Sequence, residues 1–282
     1  MSIDVVITGA NGRMGTVLRN IVKLHPDLKL AGLVLRKAEA GGSNTWGDVP
    51  VSTDLGDMLA KVPGAVVVDF TSPEASLEFA RVLASSWEKS GAKQVIGSTG
   101  LNEAQRAELA ELAKKAPILW SPNMSIGINV LLKVLPELVK ALGPDYDMEV
   151  VELHHRLKKD SPSGTAVRLG ECLAEARDWK YSDVACYHRE GIIGERPKEQ
   201  IGMQTVRGGD VVGVHTVYFM GPGERIEVNH QAHSRENFGN GAMRAAKWLA
   251  GQKPGRLYTM LDLLNSPSLP ENKDLMVQSH HN

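Results

Sequence analysis

Short apolar blocks recur through the first 125 positions, and most are followed by a stretch with helical spacing. Ile3-Asp4-Val5-Val6-Ile7 reads as a buried strand. After Gly9, Gly12 and Gly15, the residues Met14, Val17, Leu18, Ile21 and Val22 are apolar neighbours at i,i+3 and i,i+4 and predict a helix. Further strands are expected at 28–35 (LKLAGLVL), 65–70 (AVVVDF), 94–97 (QVIG) and 117–120 (PILW), with helices over 74–86 and, from an Asn102 cap, 102–115. Alternation of strand and helix implies right-handed crossovers and a doubly wound, mostly parallel sheet of the Rossmann type.

The pattern then changes. A long helix is expected over 125–142, a strand over 146–155 and a helix over 162–177, with Asp160 or Ser161 as its cap and Pro162 at its first position. Three β-rich runs follow at 201–206, 211–220 and 224–234, the last two joined by the turn Gly221-Pro222-Gly223. Both faces of the 211–220 run are partly apolar, so one face is expected on helices and the other in a subunit contact. A last helix is expected over 237–251, and the polar tail from Asn265 reads as mobile at its end. The fold class is therefore α/β: a Rossmann-type sheet together with a second, mixed α/β unit.

Length and composition narrow this further. A chain of 282 residues points to two domains, and 42% hydrophobic with 23% charged residues is ordinary for a globular protein. The formal net charge of −1 gives no global field for nucleic acid or anionic membrane, so neither is an expected partner. The N-terminus lacks the basic and long apolar regions of a secretory signal, and no apolar run approaches the roughly 20 residues of a spanning helix. Cys172 and Cys186 form neither a disulfide framework nor a metal spacing, which makes a cytoplasmic, reduced location the expectation.

Two stretches carry chemistry. Gly9-Ala10-Asn11-Gly12-Arg13-Met14-Gly15 spaces its glycines G-x-x-G-x-x-G between a strand and a helix. Small residues there let backbone N–H groups approach a pyrophosphate at a helix N-terminus. The second strand ends in Leu33-Val34-Leu35-Arg36-Lys37, with cations where an NADH-specific site carries an acid. Arg36 can fork onto a 2′-phosphate, so NADPH is expected over NADH, with NADH as the alternative cofactor. The second stretch, ELHHRLKKDSPSGTA (152–166), ends a strand and opens a helix. Alternation puts Glu152 and His154 on one face and His155 on the other. Gly164 and Thr165 sit in the first helical turn near Arg156, Lys158 and Lys159, which together make an anion site. His154 and Lys158 are the pair read as functional, since an imidazole titrates near neutrality. Arg156 and Lys159 read as solvated cations, and Ser161 and Ser163 as helix caps. No third ligand at a fitting spacing supports a metal; His230 and His233 lie near a strand end without a spacing that demands a role.

These residues resemble the 4-hydroxy-tetrahydrodipicolinate reductase (dihydrodipicolinate reductase) family of lysine biosynthesis. The histidine stretch is similar to its signature. GANGRMG, DFTSPEA (69–75), GSTGL (97–101), SPNMSIGINVL (121–131), GDVVGVHTVYF (209–219) and the segment Arg235, Phe238, Asn240-Gly241-Ala242 also fit its pattern. The resemblance implies a Rossmann domain of residues 1–125 and 236–282, and an inserted domain of residues 126–235 that binds substrate and builds a homotetramer. It implies hydride transfer from NAD(P)H to C4 of a small cyclic dicarboxylate, with loss of water, in diaminopimelate and lysine synthesis. It assigns His154 as proton donor and acceptor and Lys158 as second proton donor. His155, Gly164 and Thr165 would hold substrate. Gly9 to Met14, Gly97, Ser98 and Thr99, and Ser121, Pro122, Asn123 and Met124 would line the cofactor. Leu35 stands where many members carry an acid, and Met124 where Phe is usual.

Overall fold

The computed structural model describes residues 2–36 and 45–266. Lys37 and the tail beyond Ser266 lie outside the described residues. In chain order the first part runs β1 (Ile3–Thr8), α1 (Arg13–Val22), β2 (Leu28–Val34), β3 (Thr45–Trp46), β4 (Val49–Ser52), α2 (Leu55–Lys61) and β5 (Val66–Asp69). Then come α3 (Pro73–Ser90), β6 (Lys93–Ile96), α4 (Glu103–Ala113), β7 (Ile118–Trp120) and α5 (Ile126–Leu142). The next elements are β8 (Asp147–His154), α6 (Gly164–Glu175), α7 (Tyr181–Val184), β9 (Ala185–Cys186), β10 (Ile201–Arg207) and β11 (Gly213–Gly221). The last are β12 (Glu224–Ala232), α8 (Glu236–Leu249), β13 (Leu257–Tyr258) and α9 (Met260–Asn265).

The first sheet has the order β13-β7-β6-β5-β1-β2-β4-β3. Its pairs are parallel except for the terminal β3–β4 ladder. Chain order reverses between β1 and β5, so the crevice beyond their C-terminal ends is the natural ligand position of an open α/β sheet. One face carries α1, α8 and α9, where Val5, Ile7, Leu18, Val22, Ala242, Ala246 and Met260 are buried in one core. The other face carries α2, α3 and α4. After the second unit the chain therefore returns to the first sheet, with α8 packed on it and β13 paired to β7.

The second sheet is mixed, in the order β12-β11-β8-β10-β9. β8 pairs parallel to β10 and antiparallel to β11. Met148 and Val150 of β8 and Val217 and Phe219 of β11 are buried with Leu135 and Val139 of α5 and Leu169 and Leu173 of α6. On the opposite face Val151, Leu153, Val214 and Tyr218 are half-buried and Val206 is exposed.

One local reading changes, and two elements lie outside the expected set. α6 starts at Gly164, later than the pattern predicts: Ser163 is its N-cap, its Oγ accepting from the Ala166 N–H at 3.2 Å, and Pro162 precedes the helix. Ser163 wins that position because its own N–H donates to buried Glu152 at 3.0 Å. The hairpin over 45–52 and α2 carry no strong periodic signal. The hairpin is short, holds Pro50, and β4 joins the sheet through only Val51 and Ser52. By contrast Asn102 caps α4 as expected, in a full capping box with Gln105.

Candidate active site

The glycine loop is a tight turn closed by Gly12 N–H donating to the Gly9 carbonyl at 2.9 Å. Gly9 has φ of 58°, a left-handed value that suits glycine. A Cβ on Gly15 would lie 2.4 Å from the Gly9 oxygen and 2.7 Å from Ala10 Cα, so only glycine lets the helix start this close to the loop. The first turn of α1 borders an open cavity. Its volume is about 630 Å³, and its walls include Asn11, Gly12, Arg13, Val212, Ser234 and Arg235. The cradle, the helix end and the two arginines suit an anionic dinucleotide.

Beside it, Asp69 at the end of β5 is fully buried. Its Oδ1 accepts from Thr8 Oγ1 (2.9 Å), Thr71 N (2.9 Å) and Thr71 Oγ1 (2.6 Å). Burial pushes this carboxyl above its ordinary range, against the pull of those donors. The arrangement pins the β5–α3 loop against the glycine loop.

The sequence candidates divide. Asn11, Gly12, Arg13 and Thr99 are exposed, Arg36 is exposed just after β2, and Pro122 is exposed after β7. Ala10 is buried and can offer only its backbone. Met14 is half-buried. Gly97 is buried beneath Phe70, whose ring would lie 2.3 Å from a Cβ at that position. Three candidates turn inward. Ser98 is 4% exposed and accepts from Ser76 Oγ at 2.8 Å, which ties β6 to α3. Ser121 donates to the Asn123 carbonyl at 2.7 Å. Met124 is 1% exposed and belongs to the core under α8, where a Cβ at Gly241 would fall on its carbonyl oxygen. The side chain of Met124 thus fills the core and does not line the cleft. Asn123 Nδ2 donates to Thr165 Oγ1 at 2.9 Å, so this loop meets the start of α6 directly.

The histidine stretch ends β8 as its pattern implies. Glu152 and His154 share a face, and His154 Nδ1 lies 2.5 Å from Glu152 Oε2. Gly164 is exposed with open space around its Cβ position, and Thr165 is half-buried beside it. Lys158 pairs with Asp160 at 2.8 Å. His155 is half-buried, its N–H donating to the Val211 carbonyl at 2.8 Å. That bond draws the 208–212 loop, and with it cavity-lining Val212, beside the histidines. A Cβ at Gly213 would stand 3.0 Å from His154 Nε2, so glycine there spares that atom a close side-chain contact.

Sequence reasoning placed Glu152 on the face of His154 without giving it a role, and passed over Thr205, Arg207 and His215 behind it. Glu152 has no exposed side-chain surface and accepts both nitrogens of the Arg207 fork, at 2.8 and 2.7 Å, besides Ser163 N–H and Thr205 Oγ1. Burial alone would raise its pKa, but the donors His154, Arg207 and Ser163 outweigh it and hold the carboxylate well below its usual range. His215 meets His154 edge to face with ring centroids 5.1 Å apart, and its Nε2 is 3.1 Å from Ser163 Oγ. His230 lies across from His215 on β12 and bonds Ser125 Oγ at 3.1 Å. Among the described residues no group of three or more His, Cys, Asp or Glu is placed to hold a metal ion. No helix among them is long and apolar enough to cross a membrane.

Burial, then the charge of His154, lowers the pKa of His215 from 6.5 to about 3. The unfolded chain takes up this proton near 6.5 and the folded chain only near 3. Folding is therefore favoured above about 6.5, and that advantage is lost as pH falls through the window. Melting temperatures measured from about pH 7 to about pH 4 should fall more steeply for the wild type than for His215→Gln.

A glycine loop on a parallel sheet, together with a histidine–carboxylate centre at a helix N-terminus on a second, mixed sheet, defines an α/β protein of the Rossmann-type class. The model of the dihydrodipicolinate reductase N-terminus matches residues 3–124, and that of the C-terminus matches residues 127–264. The chain belongs to the dihydrodipicolinate reductase family and is an oxidoreductase of that family. It is 61% identical over 264 residues to the 4-hydroxy-tetrahydrodipicolinate reductase of Nitratidesulfovibrio vulgaris, covering 94% of this chain and all of the relative. It is 50% identical to that of Anaeromyxobacter dehalogenans, covering 92% of this chain and 97% of the relative. The fold superposes on dipicolinate-bound dihydrodipicolinate reductase from Paenisporosarcina sp. TG-14 with a TM-score of 0.73 at 24% identity, covering 92% and 98% of the two chains.

Proposed function

We propose that this chain reduces 4-hydroxy-tetrahydrodipicolinate to tetrahydrodipicolinate in diaminopimelate and lysine synthesis, with residues 1–125 and 236–282 as cofactor domain and 126–235 as substrate domain. The observation that carries this is His154, fixed on Glu152, which also holds the Ser163 cap before Gly164 and Thr165, while the backbone bond from His155 to Val211 brings Val212 into the wall of the cavity at the glycine loop. When bound, the reduced nicotinamide supplies a hydride to C4. Backbone groups of Gly9 to Met14 would hold its pyrophosphate, and Gly97, Thr99, Pro122 and Asn123 would border it.

The balance of the reaction is one hydride and one proton in, one water out. His154 supplies the proton through Nε2, the ring atom that Glu152 does not occupy; a placed acid of this kind is worth about 10²–10⁴ in rate. Lys158 is the second donor: it protonates the departing hydroxyl and regains a proton from the ring carbon next to C4 as the conjugated imine forms, so the proton that His154 returns to that carbon after hydride addition is the one net proton taken up. His155, Thr165 and the N–H groups at Gly164 receive the two carboxylates, since a helix N-terminus favours negative charge. This accounts for a local anion site on a chain of net charge −1.

A cysteine-dependent semialdehyde dehydrogenase fits poorly. Cys172 is 3% exposed and burial pushes its thiol up to about 11. Loss of NADPH absorbance with freshly generated cyclic substrate, inhibited by pyridine-2,6-dicarboxylate, tests the proposal. No turnover under saturating cofactor would sink it.

NADPH is the preferred cofactor on this reading, with NADH second, because Arg36 follows β2 and no acid stands there. Arg36→Ala should raise KM for NADPH about tenfold and leave that for NADH nearly unchanged. The half-buried outer face of the second sheet is the surface through which copies would assemble into a cytoplasmic homotetramer.

A further inference from the structure

We propose that Glu152, held by Arg207, is the positioning residue that sets the tautomer and charge of His154. The inference rests on the assignment of His154 as proton donor. Glu152 has no exposed side-chain surface and receives the two Arg207 nitrogens and the Ser163 N–H as well as His154. Three cationic or N–H donors around one carboxylate require it to be ionised, and an ionised carboxylate only accepts. Nδ1 of His154 therefore carries the hydrogen at 2.5 Å, and Nε2 carries none in the neutral ring, on the side where Gly213 presents no side chain. Proton exchange with a ligand then runs through Nε2 alone, in a fixed ring orientation.

Arg207 has a separate role. It reaches Glu152 from β10, where it is the register partner of His154, and its Nη2 also donates to the Asp160 carbonyl at 2.8 Å. It keeps the carboxylate charged while competing with the imidazolium for it. The other charged or titratable groups around His154 are His215 on β11, His230 on β12, and Lys158 with Asp160 in the loop after β8. His215 stays neutral through the working range. Among the described residues Glu152 is thus the one anion in contact with the ring, and Arg207 the cation that moderates it.

The test has two readouts. Two-bond proton–nitrogen spectra of histidine-labelled wild-type protein should show neutral His154 protonated at Nδ1. The ordinary Nε2-protonated form would overturn the inference, whether or not any variant folds. In pH profiles of kcat, Glu152→Gln should lower kcat about tenfold or more with KM little changed. It should also move the alkaline limb to lower pH, because the anion favouring the imidazolium is gone. Arg207→Met should move that limb to higher pH. A purely structural role would shift neither limb, and coincident limbs in all three proteins would refute the proposal. If the wild type shows the Nδ1 tautomer but does not reduce the cyclic substrate, the assigned reaction fails while the role of Glu152 stands.

Discussion

His154→Ala should lower kcat by about 10²–10⁴-fold while KM changes much less. On the proposed mechanism, removing the imidazole takes away the proton that would accompany the hydride, and no neighbouring group among the described residues replaces it in the same geometry. Lys158 is paired with Asp160 at 2.8 Å, and His215 is buried, with its Nε2 committed to Ser163. Thr165→Ala is the contrasting case. Its hydroxyl accepts from Asn123 at the start of α6, where a carboxylate would bind, so its loss should raise KM and spare kcat. Steady-state kinetics with the cyclic substrate separate the two. Near-normal turnover in His154→Ala would remove that residue from the mechanism.

Gly15→Ala should cripple cofactor binding through sterics alone. The added methyl would meet the Gly9 carbonyl oxygen at 2.4 Å and the Ala10 backbone at 2.7 Å. Backbone cannot rotate out of the way as a side chain can, so α1 must move off the loop. Overpacking of this kind costs about 1–3 kcal/mol. On the proposed reading the loss falls on the backbone N–H groups that would receive the pyrophosphate. Calorimetric titration with NADPH should show affinity weaker by about tenfold or more, together with a lower melting temperature. Unchanged affinity would mean that the loop geometry does not govern the cofactor.

Much of this was legible in residue order. The β-α alternation predicts a parallel sheet, and the strands at 3–8, 28–34, 66–69, 93–96 and 118–120 lie where apolar runs put them. The period of two puts Glu152 and His154 on one face, and they are in contact. The inward turn of Ser98 and Met124 was not legible. A small polar residue after a strand looks the same whether it faces a ligand or, as Ser98 does, a buried serine of a neighbouring helix.

By itself the sequence determined the class of fold, the place of the glycine loop, the family and the strand that carries His154. These follow from short-range spacing, because helix and strand periodicity and turn chemistry are set by neighbours along the chain. The tertiary structure alone decided what stands behind that histidine. Arg207 reaches Glu152 across 55 positions because β10 lies parallel to β8, and His215 faces Glu152 because β11 lies antiparallel on the other side. Strand register depends on how whole sheets and helices pack, and no local pattern encodes which distant side chain a buried carboxylate will meet.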